Sequence, residues 1–162
     1  MLAEKPDQAR SDLEEAVLLA GGNIGILLPA GVLLADAGFI EAAGAAFDEA
    51  AKAEPHNAAI YETHAAVVLE ADDAKAGAAL ADRALSAPLG EQRFDVLEPA
   101  AELYAAASRR THVRKCLDEL RILAVGKALR GLQAETADRL AVSTELIDLL
   151  AQAKEYDEAI AE

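Results

Sequence analysis

The segment closest in composition to a phosphate-binding loop is 21–25, with the sequence GGNIG. Phosphate loops hold the anion with backbone N–H groups, and their motifs need a fixed glycine spacing directly after a β-strand. This segment lacks the full spacing, and no strand pattern precedes it. Gly-Gly-Asn is more typical of a turn that ends one helix before the next begins. We therefore predict a turn between two helices here.

His112 and Cys116 are four residues apart, a spacing that would place both on one face of a helix. Imidazole and thiolate are zinc ligands, but a closed zinc site needs four ligands and no second pair stands nearby. The neighbouring residues Asp72 and Asp73 lack the alternating oxygen ligands of a calcium loop. We expect a partly buried thiol beside a surface imidazole, a solvated turn at the two aspartates, and no metal or other cofactor.

Motifs of common catalytic classes are missing from the sequence. It contains no GxxxxGK[ST], no GxSxG and no HExxH. No Ser–His–Asp or Cys–His arrangement can be argued from its spacings. We therefore expect that the chain is not an enzyme.

A basic segment runs from Arg109 to Arg130, with seven basic residues against two acidic ones. It could dock an acidic partner, a phosphate or an acidic part of the same chain. We favour the alternative, a solvated helix face with ion pairs between residues four apart. The candidate pairs are Arg114–Asp118 and Lys115–Glu119. No aromatic residue within the segment could stack on a nucleic-acid base.

The overall composition favours close-packed helices. Hydrophobic residues make up 53% of the 162 residues, and aromatic residues only 4%. Alanine and leucine, which dominate the apolar set, are the best helix formers, whereas sheets favour β-branched and aromatic residues. The length suits one domain with its own core. The net charge of −14 opposes binding to phosphate backbones, so we expect no nucleic-acid partner.

Residues 16–35 form an uncharged stretch that is long enough to cross a bilayer. Four glycines, an asparagine and a proline interrupt it and favour a turn, so we predict no membrane span. The single cysteine cannot form an internal disulfide, and no signal-peptide pattern opens the sequence. We therefore expect a cytoplasmic location, unless the chain is part of a longer protein.

A repeat of 34 residues organises the chain. Each unit carries a small residue, further positions four and then three residues on, and a breaker about five residues later; four and three are helical spacings. Ala43, Phe47, Ala50 and Pro55 show this pattern most fully, and Gly38 is placed to end the preceding helix. The repeat therefore predicts pairs of antiparallel helices.

The middle unit resembles the tetratricopeptide repeat (TPR) family, whose consensus positions alternate aromatic or large residues with small ones. The matching residues are Leu27, Gly31, Leu34, Ala43, Phe47, Ala50 and Pro55. Two departures are Ala30, where the family prefers leucine, and Pro29, which is unusual inside a first helix. The resemblance implies an all-α fold, a right-handed α-solenoid of antiparallel helix pairs forming a TPR-like superhelix, with about eight helices.

The resemblance covers most of the chain. It gives a partial repeat at 6–23, repeats at 24–57 and 58–91, a divergent repeat at 94–127 and a partial repeat at 136–162. Both ends fall inside a predicted helix, so we expect the chain to be part of a longer solenoid. Exposed apolar ends would allow a homo-oligomer to form through Leu13 and Val17 at one end, or Leu149 and Ile160 at the other.

The resemblance also implies a function, that of a non-enzymatic scaffold for protein–protein interaction that binds a peptide or partner protein in its concave groove. In this family the first helix of each pair lines the groove. The corresponding residues here are Leu28, Val32, Asp36, Glu62, Ala66, Leu69, Glu70, Glu98 and Glu102. An apolar floor with acidic flanks suits a basic or amphipathic peptide and would repel an acidic tail.

Two alternatives stay open at this point. The groove carboxylates could serve only to keep the chain soluble. The chain could also be a regulatory or targeting segment of a larger multidomain protein whose catalytic part lies elsewhere.

Overall fold

The computed structural model describes the backbone of residues 6–131 and the side chains of residues 8–127. This part of the chain forms seven α-helices and no β-strand, so the prediction of an all-α chain is confirmed for it. The helices are α1 (Pro6–Leu19), α2 (Ile24–Asp36), α3 (Ile40–Ala53), α4 (Ala58–Glu70), α5 (Ala74–Ser86), α6 (Arg93–Ala106) and α7 (Arg110–Gly131). The predicted partial repeat at 136–162, with Leu149 and Ile160, lies outside the described residues.

Polar side chains cap the starts of three helices. Asn23 and Asn57, which are 34 residues apart, each accept a hydrogen bond from the backbone N–H two residues on, at the starts of α2 and α4. Asp73 accepts from two backbone N–H groups in the first turn of α5. These bonds satisfy donors that have no partner within their own helix. Segment 21–25 is thus a helix-to-helix turn, and Asp73 is a helix cap.

Residues with positive φ follow α2, α4 and α6. They are Gly38 (φ 83°), Asp72 (φ 53°) and Ser108 (φ 56°). The N–H of each bonds to the carbonyl three residues back, at 2.8, 3.1 and 2.8 Å respectively. Glycine adopts this conformation without a steric penalty, whereas aspartate and serine do so at some cost. The same hydrogen-bonded turn with positive φ therefore ends the three helices, at intervals of 34 and 36 residues that are close to the predicted repeat.

The uncharged stretch 16–35 does not form one continuous helix. Gly21 and Gly22, both with positive φ, separate α1 from α2. Among the residues that the structure describes, no helix has the length and apolar character needed to cross a membrane. Pro29 lies inside α2, which begins five residues earlier at Ile24.

Each helix packs against the next one in the chain, and further contacts join α2 to α4 and α4 to α6. A hydrogen bond also links the start of α6 to the start of α4, because Gln92 Oε1 accepts from the backbone N–H of Ala58 at 2.8 Å. One large apolar cluster joins α4 to α7, and two smaller clusters join α1 to α4. The core therefore continues from helix to helix along the described part of the chain.

Phe47 is the largest side chain of the α2–α3 contact and is fully buried. Its ring lies directly against Gly31, where an added Cβ would stand 2.8 Å from Phe47 Cζ. No real Cβ tolerates such a distance without movement of its neighbour. Gly31 therefore leaves room for this bulky side chain where α2 and α3 approach each other.

We expect the substitution Ala50→Leu to destabilise the protein by about 1–3 kcal/mol. Ala50 is fully buried against Ala20, Leu27 and Ile60, so a larger side chain must displace residues of three other segments. Chemical denaturation measures the change. Ala45→Leu, at an exposed position of the same helix, is the control and should stay within about 0.5 kcal/mol of the unsubstituted protein. Equal stability of both variants would contradict the packing described here.

His64 of α4 lies half-buried between α3 and α5. Its ring stacks on Phe47, with the centroids 4.7 Å apart. Nearby, Arg83 Nη2 of α5 is 2.7 Å from Asp48 Oδ1 of α3. Burial, and then the charge of Arg83, lower the pKa of His64 to about 4, although Asp48 acts in the opposite direction. The histidine is therefore neutral in the folded protein at neutral pH.

This pKa predicts a loss of stability on acidification. The unfolded chain takes up a proton on His64 near pH 6.5, whereas the folded chain does so only near pH 4. The stabilisation is therefore complete above pH 6.5 and is lost as the pH falls toward 4, by about 3 kcal/mol. We expect the stability difference between wild type and His64→Gln to change over this interval. The exposed His56, replaced by glutamine, is the control; parallel profiles for wild type and His64→Gln would contradict the assignment.

Candidate functional site

The nine predicted groove residues all lie on α2, α4 and α6, but the structure does not bring all of them together. Three of them, Glu62, Glu98 and Glu102, line one cleft. Leu28 and Val32 are half-buried and pack beside the cluster of Leu34, Ala43 and Phe47, while Leu69 packs against the larger core cluster. The remaining three are exposed; they are Asp36, Ala66 and Glu70.

The cleft has a volume of about 610 Å³ and is lined by residues of α4, α6 and α7. We call it the acidic cleft. Its lining residues are Glu62, Phe94, Asp95, Glu98, Pro99, Glu102 and Leu120. Four of these seven are carboxylates, and Phe94, Pro99 and Leu120 supply apolar surface. A positive and partly apolar side chain matches this combination.

Four residues of the acidic cleft were not among the predicted groove residues. Phe94 and Asp95 stand four and three residues before Glu98, so the helical face rule could have identified them from the predicted position of Glu98. Pro99 lines the cleft from the same helix. Leu120 comes from α7, and no local spacing signals its arrival there.

The carboxylates of the acidic cleft influence one another. Burial raises the pKa of Glu62, and the negative charge of Asp95 adds to the effect. Burial likewise raises the pKa of Glu98, with a further contribution from Glu102. Within the described residues, no ion pair involves Glu62, Asp95 or Glu98. A cation that entered the cleft would therefore relieve repulsion as well as gain attraction.

An ion pair between Arg93 and Glu119 joins α6 to α7. The Arg93 guanidinium makes a bidentate contact with the Glu119 carboxylate, in which Nη2 donates to Oε2 at 3.0 Å. Its Nη1 also donates to the carbonyl oxygen of Leu85 at 2.5 Å. A planar guanidinium suits this paired geometry better than an ammonium group does. Arg93 thus joins the end of α5 to the two helices that shape the cleft.

A second cleft, of about 570 Å³, adjoins the acidic cleft at Phe94. It shares Phe94 and Asp95 with the acidic cleft. Its remaining lining residues are Gly90, Glu91, Arg93, Leu123 and Lys127. Phe94 therefore lines both open spaces.

The predicted thiol and imidazole neighbours occupy structural positions. Cys116 is buried in the core, and burial, followed by the charge of Glu119, raises the pKa of its thiol to about 11. The thiol is protonated at neutral pH and therefore a poor nucleophile. The His112 ring packs at a tilt on Tyr104, with centroids 4.8 Å apart. No group of three or more metal-ligating side chains occurs in the described part of the chain.

The ion pairs of the basic segment differ from the predicted ones. Asp118 pairs with Arg121, 3.6 Å away and three residues on, rather than with Arg114. Glu119 pairs with Arg93 of α6 rather than with Lys115. The reason is geometric, because a guanidinium from the neighbouring helix reaches Glu119 with two donors at once. At the start of the segment, Arg109 Nη1 lies 3.5 Å from Asp82 Oδ2 of α5.

The apolar residues that α1 exposes to solvent differ from the two predicted for self-association. Leu13 and Val17, the predicted contacts for self-association, are half-buried against the cluster formed by Leu34, Ala43 and Phe47. Leu18 and Leu19 are instead 83% and 77% exposed. The most exposed apolar residues of this helix are therefore Leu18 and Leu19 rather than the predicted Leu13 and Val17.

Comparisons of the chain with protein-family models, with curated proteins and with solved structures find no match.

Proposed function

We propose that the protein is a non-enzymatic interaction scaffold, a right-handed, TPR-like solenoid of helix pairs. Three observations support the solenoid. α2 and α4 begin 34 residues apart, as do α3 and α5. The first helices of the proposed pairs contact one another in the order α2, α4, α6. The Phe47 ring of α3 also packs directly against Gly31 of α2, so the two helices of this proposed pair lie close together. Stacked helix pairs of this kind offer an extended surface for a partner.

We further propose that the partner is a basic or amphipathic peptide that binds across α4 and α6. The observation that carries this proposal is the acidic cleft, in which Glu62 of one helix faces the same space as Glu98 and Glu102 of another. An amphipathic peptide could place its cations beside these carboxylates and its apolar face on Pro99 and Leu120. Charge complementarity of this kind determines partner choice and association rate more than total affinity.

A direct titration tests the proposal. A synthetic amphipathic peptide rich in lysine and leucine should bind, and its affinity should fall several-fold as salt rises from about 50 to about 300 mM, because the screening length shortens. An acidic peptide of the same length and apolar content is the matched control and should not bind. Isothermal titration calorimetry measures both. Equal binding of the two peptides, or preference for the acidic one, would overturn the proposed partner.

A further inference from the structure

Phe94 belongs to a row of side chains on α6 that line the acidic cleft. Phe94, Glu98 and Glu102 follow one another at intervals of four residues, which places them on one face of the helix. The ring is half-buried, and it lines both the acidic cleft and the adjoining cleft. An aromatic face next to several carboxylates is a suitable surface for an organic cation.

A cation already occupies this surface in the structure. Lys127, on the exposed side of α7, places Nζ 5.1 Å from the centroid of the Phe94 ring. This distance lies within the range of a cation–π contact. Leu123, one turn earlier on α7, lines the adjoining cleft together with Lys127. The chain therefore presents one of its own lysines to the aromatic ring at the edge of the acidic cleft.

We propose that Phe94 is the recognition surface for one lysine or arginine side chain of the bound peptide, and that Lys127 occupies this surface in the free protein and must leave it on binding. The inference rests on the proposed function, because it concerns the same cleft and the same class of partner. The incoming cation would exchange places with Lys127 on the ring. Its positive charge would then lie beside the carboxylates that continue the row along α6.

A double-mutant cycle tests this competition with the lysine- and leucine-rich peptide as the probe. Lys127→Gln should tighten binding about two- to fivefold, since the ring is then uncovered in the free protein. Phe94→Leu should change affinity little in the wild type, where it removes a cation–ring contact from the free and the bound state alike, but should weaken binding about two- to fivefold in the Lys127→Gln background. In the Phe94→Leu background, Lys127→Gln should give no further gain. Lys115→Gln, which removes the same charge from an exposed position of α7 that lines neither cleft, is the control and should change affinity little.

The outcomes separate this inference from the proposed function. A gain from Lys127→Gln that persists in the Phe94→Leu background would show a general charge effect and overturn the inference alone. Weaker binding of the peptide by Lys127→Gln than by the wild type would also overturn the inference alone. If the peptide binds neither the wild type nor Lys127→Gln, both proposals are wrong.

A measurement without peptide examines the resting contact. In nuclear magnetic resonance spectra of the free protein, the Lys127 side-chain protons next to Nζ should be shifted upfield by the ring current of Phe94. Phe94→Leu should abolish this shift, and addition of the peptide to the wild type should reduce it. An unshifted Lys127 signal in the free protein would overturn the proposed resting state.

Discussion

Truncation of Phe47 to alanine should lower the free energy of unfolding by about 3–5 kcal/mol, the largest stability effect that we expect in this protein. The ring is fully buried, packs against Gly31 and stacks on His64. Its removal leaves a cavity at the junction of α2, α3 and α4, where backbone packing limits collapse. Urea denaturation, monitored by circular dichroism, measures the change.

Phe94→Ala is the matched control for Phe47→Ala, because the same residue type is only half-buried there. It should cost clearly less. Gly31→Ala supplies a second test, since the added Cβ collides with the Phe47 ring in the wild type but meets a smaller side chain in Phe47→Leu. The two substitutions should therefore be non-additive, with the double variant more stable than the sum predicts. Strict additivity would contradict the close approach of α2 and α3 at this point.

Reversal of charge in the acidic cleft should have the largest effect on binding. The double variant Glu62→Lys with Glu98→Lys should weaken binding of the basic peptide about 10- to 100-fold. Both carboxylates line the same cleft from different helices, so their replacement turns attraction into repulsion at two points. Fluorescence anisotropy with a labelled peptide measures the change. The dependence of affinity on salt should also become weaker.

The control for this charge reversal is the double variant Glu15→Lys with Glu41→Lys. It alters the net charge by the same amount at two exposed positions on α1 and α3 that do not line the acidic cleft. It should change affinity far less. If the two double variants weaken binding equally, net charge rather than the cleft attracts the peptide. Glu70→Lys, at an exposed predicted groove position outside the cleft, indicates how far along α4 the binding surface extends.

The helices and their internal contacts could be predicted from the sequence to a large extent. The helical spacing of Ala43, Phe47 and Ala50 indicated one buried face, and all three are fully buried. The Gly-Gly-Asn sequence at 21–23 indicated the turn before α2, because glycine permits positive φ, and Gly21 and Gly22 both adopt it. These features depend on residues within one or two turns of each other, so local spacing is sufficient to find them.

The candidate site was only partly predictable. The groove residues implied by the resemblance to the repeat family include Glu62, Glu98 and Glu102, and the structure groups these three in one cleft. The same resemblance also selected Leu28 and Val32, which pack beside the core near α1 instead. A helical wheel identifies the direction of a side chain, but it does not reveal how much of that direction a neighbouring helix covers.

By itself, the sequence determined that the described chain is helical, where several of its turns lie, and which small residues permit close packing, because propensity, capping and periodicity act over a few residues. Only the tertiary structure decided the partners of the charged and aromatic groups. Glu119 pairs with Arg93, 26 residues away, rather than with Lys115 one turn earlier, and Lys127 reaches Phe94 across the α6–α7 contact. Glu119 has a candidate partner, Lys115, within reach along its own helix. The approach of a second helix then determines which contact has the better geometry and the lower exposure to water.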